Sequence, residues 1–242
     1  MSSIRPLEPA ARLDLEGYAI VLGAFDERAA LELIAAIGRG LESSPRGHHS
    51  MRNVAAAVPL VNSLIESERV RCLVEPVLGP GAFAVRSIYF DKLPGANWKV
   101  AWHQDLSIAV RERLEVPGFG PWSIKEGVVH VEPRVELLER MLTLRVHLDD
   151  CSQDNGPLRV ISGSHQLGRL SPPELEQITR RPPAICTMSR GDALLMRPLL
   201  VHASSPARQP SHRRVIHIEF AAEELPGGLQ WHERLGPHDR AQ

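Results

Sequence analysis

Cysteine is scarce in this chain, and its three copies, Cys72, Cys151 and Cys186, are odd in number and far apart. They make neither a disulfide framework nor a paired-cysteine zinc site, which fits a reducing compartment. Long apolar runs are missing too. No stretch approaches the roughly 18 residues that a membrane span requires, and residues 1–17 hold no continuous apolar core of signal-peptide type. A cytoplasmic chain with no membrane partner is expected. Nor does one sign of charge dominate: 28 Lys and Arg stand against 29 Asp and Glu, and the sequence pI is near 6.8. That balance carries no electrostatic footprint for nucleic acid, so a small-molecule partner is expected. No feature specifies an oligomeric state.

What is abundant is turn chemistry, with 20 prolines and 18 glycines in 242 residues, which favours strands and loops over a helical bundle. A single domain is expected, with a helical layer and connector over residues 1–80, a barrel over 81–235 and a polar tail over 236–242. Residues 17–23 read as a strand. Asp26 is placed to cap a helix running to about Leu41, because Leu31, Ile34, Ile37 and Leu41 recur at helical spacing. Residues 43–53 read as a loop or lid, and 60–78 as a second helix stopped by Gly79-Pro80.

Beyond Gly81, short β-prone runs take over. Strands are expected at 82–92, after a turn at 94–97 into His103, and at 128–131, 141–149, 158–161, 185–188, 193–196, 199–202 and 214–221. A short helix is expected at 172–179, and residues 106–127 read as a long functional loop. Residues 141–149 alternate most cleanly. Leu142, Leu144, Val146 and Leu148 take one face, and Thr143, Arg145, His147 and Asp149 the other. With the apolar face packed under the helices, the polar face lines a barrel interior, which makes sense when that interior is a ligand cavity. Roughly eight strands with one layer of helices point to a jelly-roll barrel.

The chemistry-bearing stretch is Trp102-His103-Gln104-Asp105. Side chains two apart on a strand share a face, so His103 and Asp105 can bind one metal ion together. Alone, a His-x-Asp spacing is weak evidence in a chain with 11 histidines. His202, embedded in an apolar run, completes a two-histidine, one-carboxylate set of the kind used by non-haem Fe(II) oxygenases. Ser204 shares its face, and Arg213 opens the following strand, where Val215 and His217 point with it. A buried arginine needs an anion, and the far carboxylate of a bound dicarboxylic acid satisfies it bidentately. Fe(II) with 2-oxoglutarate and O2 fits this set, giving succinate, CO2 and a hydroxylated product.

The chain resembles the phytanoyl-CoA dioxygenase family of Fe(II)/2-oxoglutarate-dependent oxygenases. The likeness rests on Trp102-His103-Gln104-Asp105, on Asn155-Gly156-Pro157-Leu158 leading to Ser162-Gly163-Ser164-His165, and on His202-x-Ser204 followed by Arg213. It extends from about Gly17 to Trp231. The resemblance implies a double-stranded β-helix fold, iron on His103, Asp105 and His202, and the distal carboxylate of 2-oxoglutarate on Arg213 and Ser204. Arg145 stands where relatives often carry a tryptophan. With Thr143 it is a candidate cosubstrate contact on the inward face, although an anionic substrate or a buried ion pair would also account for it.

Candidates for the substrate side are Arg52, Trp98, Trp122, Lys125 and His130, with Lys92 beside them; ordinary packing or surface duty accounts for each equally well. His165 reads as a turn stabiliser. Two rival readings stand beside the hydroxylase. One is a barrel using the same three residues for non-oxidative metal chemistry, as an isomerase or hydrolase, and the other is a metal-binding protein without turnover. The substrate expected is a small polar or carboxylated molecule.

Overall fold

The computed structural model describes residues 8–42, 49–93 and 96–236. Residues 43–48 of the expected connector, Pro94-Gly95 of the expected turn and the tail beyond Gly236 lie outside the described residues. Strands β8 (Leu142–His147) and β13 (Arg214–Ala221), the two most regularly alternating runs, pair antiparallel at the centre of a six-stranded sheet. Its full order is β1 (Tyr18–Val21), β11 (Ala193–Met196), β8, β13, β3 (Phe83–Asp91) and β2 (Ser50–Arg52).

The outer face of this sheet carries Leu142, Leu144, Val146, Ile216, Ile218 and Phe220, all buried. They join one core cluster with Leu33, Ile37 and Leu41 of α2 (Glu27–Glu42), Val61 and Ile65 of α4 (Pro59–Glu66), and Val70 and Val74 of α5 (Glu68–Leu78). Fully burying each Leu, Ile or Val contributes about 1.5–3 kcal/mol. That gain orients the sheet. Period-two alternation then turns Thr143, Arg145, His147, His217 and Glu219 inward.

Facing them is a second sheet of β10 (Ala184–Cys186), β9 (Leu158–Val160), β12 (His202–Ser204) and β4 (Val100–His103). Leu158, Val160, Cys186, Leu194 and Met196 fill one end of the space between the sheets. The other end is a polar cavity. This is the jelly-roll, double-stranded β-helix expected, with the helices on the outer face of the larger sheet. Three short helices, α3 (Val54–Ala57), α6 (Val135–Glu139) and α7 (Pro172–Ile178), lie in connections, and α1 (Pro9–Glu16) precedes β1. No described helix is long and apolar enough to cross a membrane.

Local signals held where they were strongest. The Asp26 carboxylate accepts from Ala29 N at 2.7 Å and starts α2. Several expectations are corrected. The single helix at 60–78 is two, because Ser67 ends α4 and its Oγ accepts from Val70 N at 3.3 Å to cap α5. Ser50–Arg52 is not loop but an edge strand on β3; half-exposed edge residues show no alternation to read. The excursion at 106–127 contains β5 (Ile108–Val110) and β6 (Trp122–Lys125), which flank β7 (Val128–Val131) in a third sheet. Ile108, Val110 and Val131 bury against Leu137, Leu138 and Trp231, long-range packing that local patterning does not reveal. The expected strand at 199–202 starts at His202 instead.

Candidate metal centre and cavity

The register of β12 against β4 sets His202 opposite His103, and the chain carries Asp105 back between them. His103 Nε2 lies 3.6 Å from Asp105 Oδ1, and His202 Nε2 lies 3.7 Å from Asp105 Oδ2. One ligand atom from each of the three can be chosen within 4.8 Å of the others. The two nitrogen–carboxylate separations are too long for hydrogen bonds. The other face of each ring is engaged: His103 Nδ1 meets Ala101 O at 2.8 Å, and His202 Nδ1 meets Leu200 O at 2.8 Å. A carbonyl only accepts, so Nδ1 carries the proton and the Nε2 lone pairs face Asp105.

The charge state of His202 agrees with that tautomer. Burial pushes the His202 pKa down to about 4 despite the opposing charge of Asp105, so the ring is neutral near pH 7. Burial works against ionised Asp105, yet His202, His103 and His217 outweigh it and hold the carboxyl well below the usual range. His103 is raised, because Asp105 more than offsets burial. Asp105 Oδ2 is buried without a hydrogen-bond partner. Two imidazole lone pairs, an ionised carboxylate and an orphaned oxygen fit a divalent cation of intermediate softness.

The expected strand ends at His103, so Asp105 is placed by the segment that follows, where its N–H donates to Pro198 O at 2.9 Å, and the flanking residues turn away. Gln104 Nε2 donates to Leu199 O at 2.7 Å and Gly168 O at 2.8 Å, while its Oε1 accepts from Leu170 N at 2.9 Å. Trp102 lies under the Arg159 guanidinium, 5.1 Å away.

A cavity of about 150 Å³ adjoins the cluster, and three buried cations share it. Lys92 Nζ donates to Ser204 Oγ at 3.0 Å and Ser205 O at 3.1 Å. Arg213 Nη1 donates to Gly156 O, while its Nε is buried without a partner. Arg145 Nη1 donates to His217 Nδ1 at 3.0 Å, and its Nε is likewise unpartnered. Among the described residues none of the three cations is paired with a carboxylate. Burial lowers Lys92 to about 8, with Arg213 and Arg145 lowering it further against Cys151, and burial then Arg213 bring Arg145 to about 10.

The remaining candidates scatter. Trp98 lines the cavity, half-buried, with Lys92 Nζ 5.5 Å above its ring. Thr143 is set beside Glu219 by register, its hydroxyl buried and unpartnered, but it does not line the cavity. Arg52 pairs with Glu126 at 3.0 Å, and Lys125 Nζ donates to Ser107 Oγ at 2.9 Å. His130 is buried, its Nδ1 3.0 Å from Val128 O and its Nε2 without a partner. Arg52, Lys125 and His130 lie beyond the cavity lining, and Lys125 and His130 feel the charge of Arg86. Trp122 packs with the cluster around Leu137 and Trp231, under Arg113 at 5.5 Å, and does not line the cavity. Arg86 and Glu219, which do line it, were not singled out from the sequence. Their signal was the alternation of β3 and β13, extended one step beyond His217.

Residues 14–215 match the sequence model of the family described as Phytanoyl-CoA dioxygenase (PhyH). The chain belongs to that family. None of the curated proteins matches it. Among solved structures, EctD from S. alaskensis with bound Fe is 21% identical with a TM-score of 0.68, covering 92% of this chain and 79% of that one. SnoK, a non-heme alpha ketoglutarate dependent carbocyclase from nogalamycin biosynthesis, is 15% identical with a TM-score of 0.70, covering 96% and 87%. HygX from Streptomyces hygroscopicus, with nickel and 2-oxoglutarate bound, is 15% identical with a TM-score of 0.65, covering 88% and 85%. These identities speak for fold alone. The phytanoyl-CoA dioxygenase match spans the three-residue cluster, Ser204 and Arg213, and ends two residues before His217.

Proposed function

We propose that this protein is an Fe(II)- and 2-oxoglutarate-dependent dioxygenase that hydroxylates a small organic molecule. The observation that carries the reading is the pair of histidines, each held through Nδ1 with its Nε2 facing the ionised Asp105, beside a cavity end whose cations lack carboxylate partners. His103, Asp105 and His202 would hold the iron. When bound, iron with 2-oxoglutarate supplies O2 activation coupled to decarboxylation, giving succinate and CO2 and leaving one oxygen atom in the product.

The chain's own part is binding and orientation. Arg213 and Ser204 take the distal carboxylate of 2-oxoglutarate, with Lys92, already bonded to Ser204 Oγ, adding a third donor. Arg145 lines the same cavity and donates to His217 Nδ1. Gln104, between His103 at the end of β4 and Asp105 just beyond it, ties this segment to the backbone at Leu199, three residues before His202, so ligands from distant segments keep their spacing. Family membership, the Fe bound to EctD and the nickel and 2-oxoglutarate bound to HygX support the cofactor assignment.

The test is anaerobic loading with Fe(II) and 2-oxoglutarate, followed by O2. A metal-to-ligand charge-transfer band, then succinate and a product one oxygen atom heavier, are expected. No band and no succinate would return the protein to the non-oxidative or binding-only readings. Succinate with a product that has lost two hydrogens instead would replace hydroxylation by cyclisation, the reaction named for SnoK.

A further inference from the structure

Lys92 and Arg213 adjoin one end of the paired strands β3 and β13, and toward the other end the same strands line the cavity with Arg86, Ile88, His217 and Glu219. His103 and Asp105 line the same cavity, so a molecule against this wall lies beside the proposed metal ligands. A hydrogen-bonded chain runs along it. Arg145 Nη1 donates to His217 Nδ1 at 3.0 Å, His217 Nε2 meets Glu219 Oε1 at 3.2 Å, and Arg86 Nη1 donates to that same oxygen at 3.0 Å. Arginine cannot accept, so His217 Nδ1 is the acceptor and its proton sits on Nε2, donated to Glu219. The chain therefore has one direction, and it holds Arg86 by a single nitrogen. The rest of that guanidinium fork is free to bind.

Charge accounting says what it binds. The cavity is lined by four cations, Arg86, Lys92, Arg145 and Arg213, against two carboxylates, Asp105 and Glu219. A divalent metal and dianionic 2-oxoglutarate cancel each other, so two positive charges remain among the groups that line the cavity; behind the wall, Glu233 is bonded to Ser87 and its carboxyl is raised by burial, against the pull of Arg86. Asp91 meets this group at the backbone amide of Arg213, 3.2 Å away, not at a guanidinium. Just outside, Lys125 Nζ is bonded to Ser107 Oγ and is paired with no carboxylate among the described residues. Burial lowers its pKa and the nearby cations Arg86 and Arg52 lower it further, which places a third positive group by the same wall. An excess of cations in a partly desolvated site is unfavourable until an anion arrives.

We propose that the substrate is an organic acid whose carboxylate is bound by Arg86, with Lys125 drawing it in from the mouth and Ile88 and Phe90 covering its carbon skeleton. The inference rests on the oxygenase reading, since it assigns 2-oxoglutarate to the opposite end. Glu219 and His217 act as positioning residues for Arg86.

The test is anaerobic calorimetry on the full chain loaded with Fe(II) and saturating 2-oxoglutarate, which blocks the Arg213 end. Aryl and alkyl monocarboxylates are titrated, each beside its primary amide. At least one acid should bind about tenfold or more tightly than its amide. In Arg86→Gln that preference should fall to within about twofold while 2-oxoglutarate binds as in the wild type. The double variant Arg86→Gln with Glu219→Gln strands no buried carboxylate and should behave the same way. Lys125→Gln, an exposed change that leaves the fold intact, should lose part of the preference and part of its salt dependence. Equal affinity for every acid and its amide, or a preference untouched by all three variants, would overturn the inference while leaving the oxygenase reading standing. Failure of wild type to bind 2-oxoglutarate would overturn both.

Discussion

Each imidazole of the proposed metal centre is oriented before any ion arrives, because its Nδ1 is bonded to the carbonyl two residues earlier. His103→Ala or Asp105→Ala should therefore abolish tight Fe(II) binding in an anaerobic titration with little loss of fold, since both side chains are partly exposed. Arg213→Ala separates differently. It should weaken 2-oxoglutarate by about 30-fold or more, as truncating one side of a buried charge contact does, while iron affinity holds. Equal loss of both would make Arg213 a fold residue. Lys92 supplies a pH signature. Its pKa is lowered to about 8 by burial, then by neighbouring cations, so it is protonated below that pH and neutral above. Affinity for 2-oxoglutarate should be full below pH 8 and fall as pH rises through it, and Lys92→Met should flatten that limb of the profile.

At the scale of elements, β8 does two jobs with one period. Leu144 is fully buried under the helices, and Arg145, next in sequence, lines the cavity. Leu144→Ala should cost about 2–5 kcal/mol in denaturant unfolding, with metal affinity of the remaining folded protein unchanged. The loop before β9 is more constrained. Gly156 sits at φ 62°, its carbonyl accepts from Arg213, and a Cβ there would come within 2.5 Å of Ser205 O. Gly156→Ala should lower stability by about 1–3 kcal/mol. It should also weaken 2-oxoglutarate, because the strained backbone must shift the acceptor that holds Arg213. Stability loss with unchanged cosubstrate affinity would show that the loop moves without the arginine.

At the scale of the molecule, His103 ends β4, Asp105 follows just beyond it and His202 opens β12 nearly a hundred residues on, so a bound ion cross-links distant parts of the barrel. A redox-inert divalent cation at about 100 times its Kd should add roughly 2.7 kcal/mol, or about 5–10 °C in Tm for a chain of this size. His103→Ala should show no such shift. Much of this was determined by the sequence alone. The His-x-Asp spacing, the alternation of β8 and β13, and the polar residues that alternation turns inward are local, periodic consequences of side chains switching faces. The jelly-roll class and the proposed triad follow from them. Only the tertiary structure decided that residues 108–125 build a third sheet, that Trp122 belongs to that packing, and that Lys92 reaches Ser204. It alone brought Arg86 to Glu219 and His217 to Arg145. Those pairings depend on register between strands more than 50 residues apart in the chain, and register is selected by which faces can be buried together, a property no single stretch of sequence possesses.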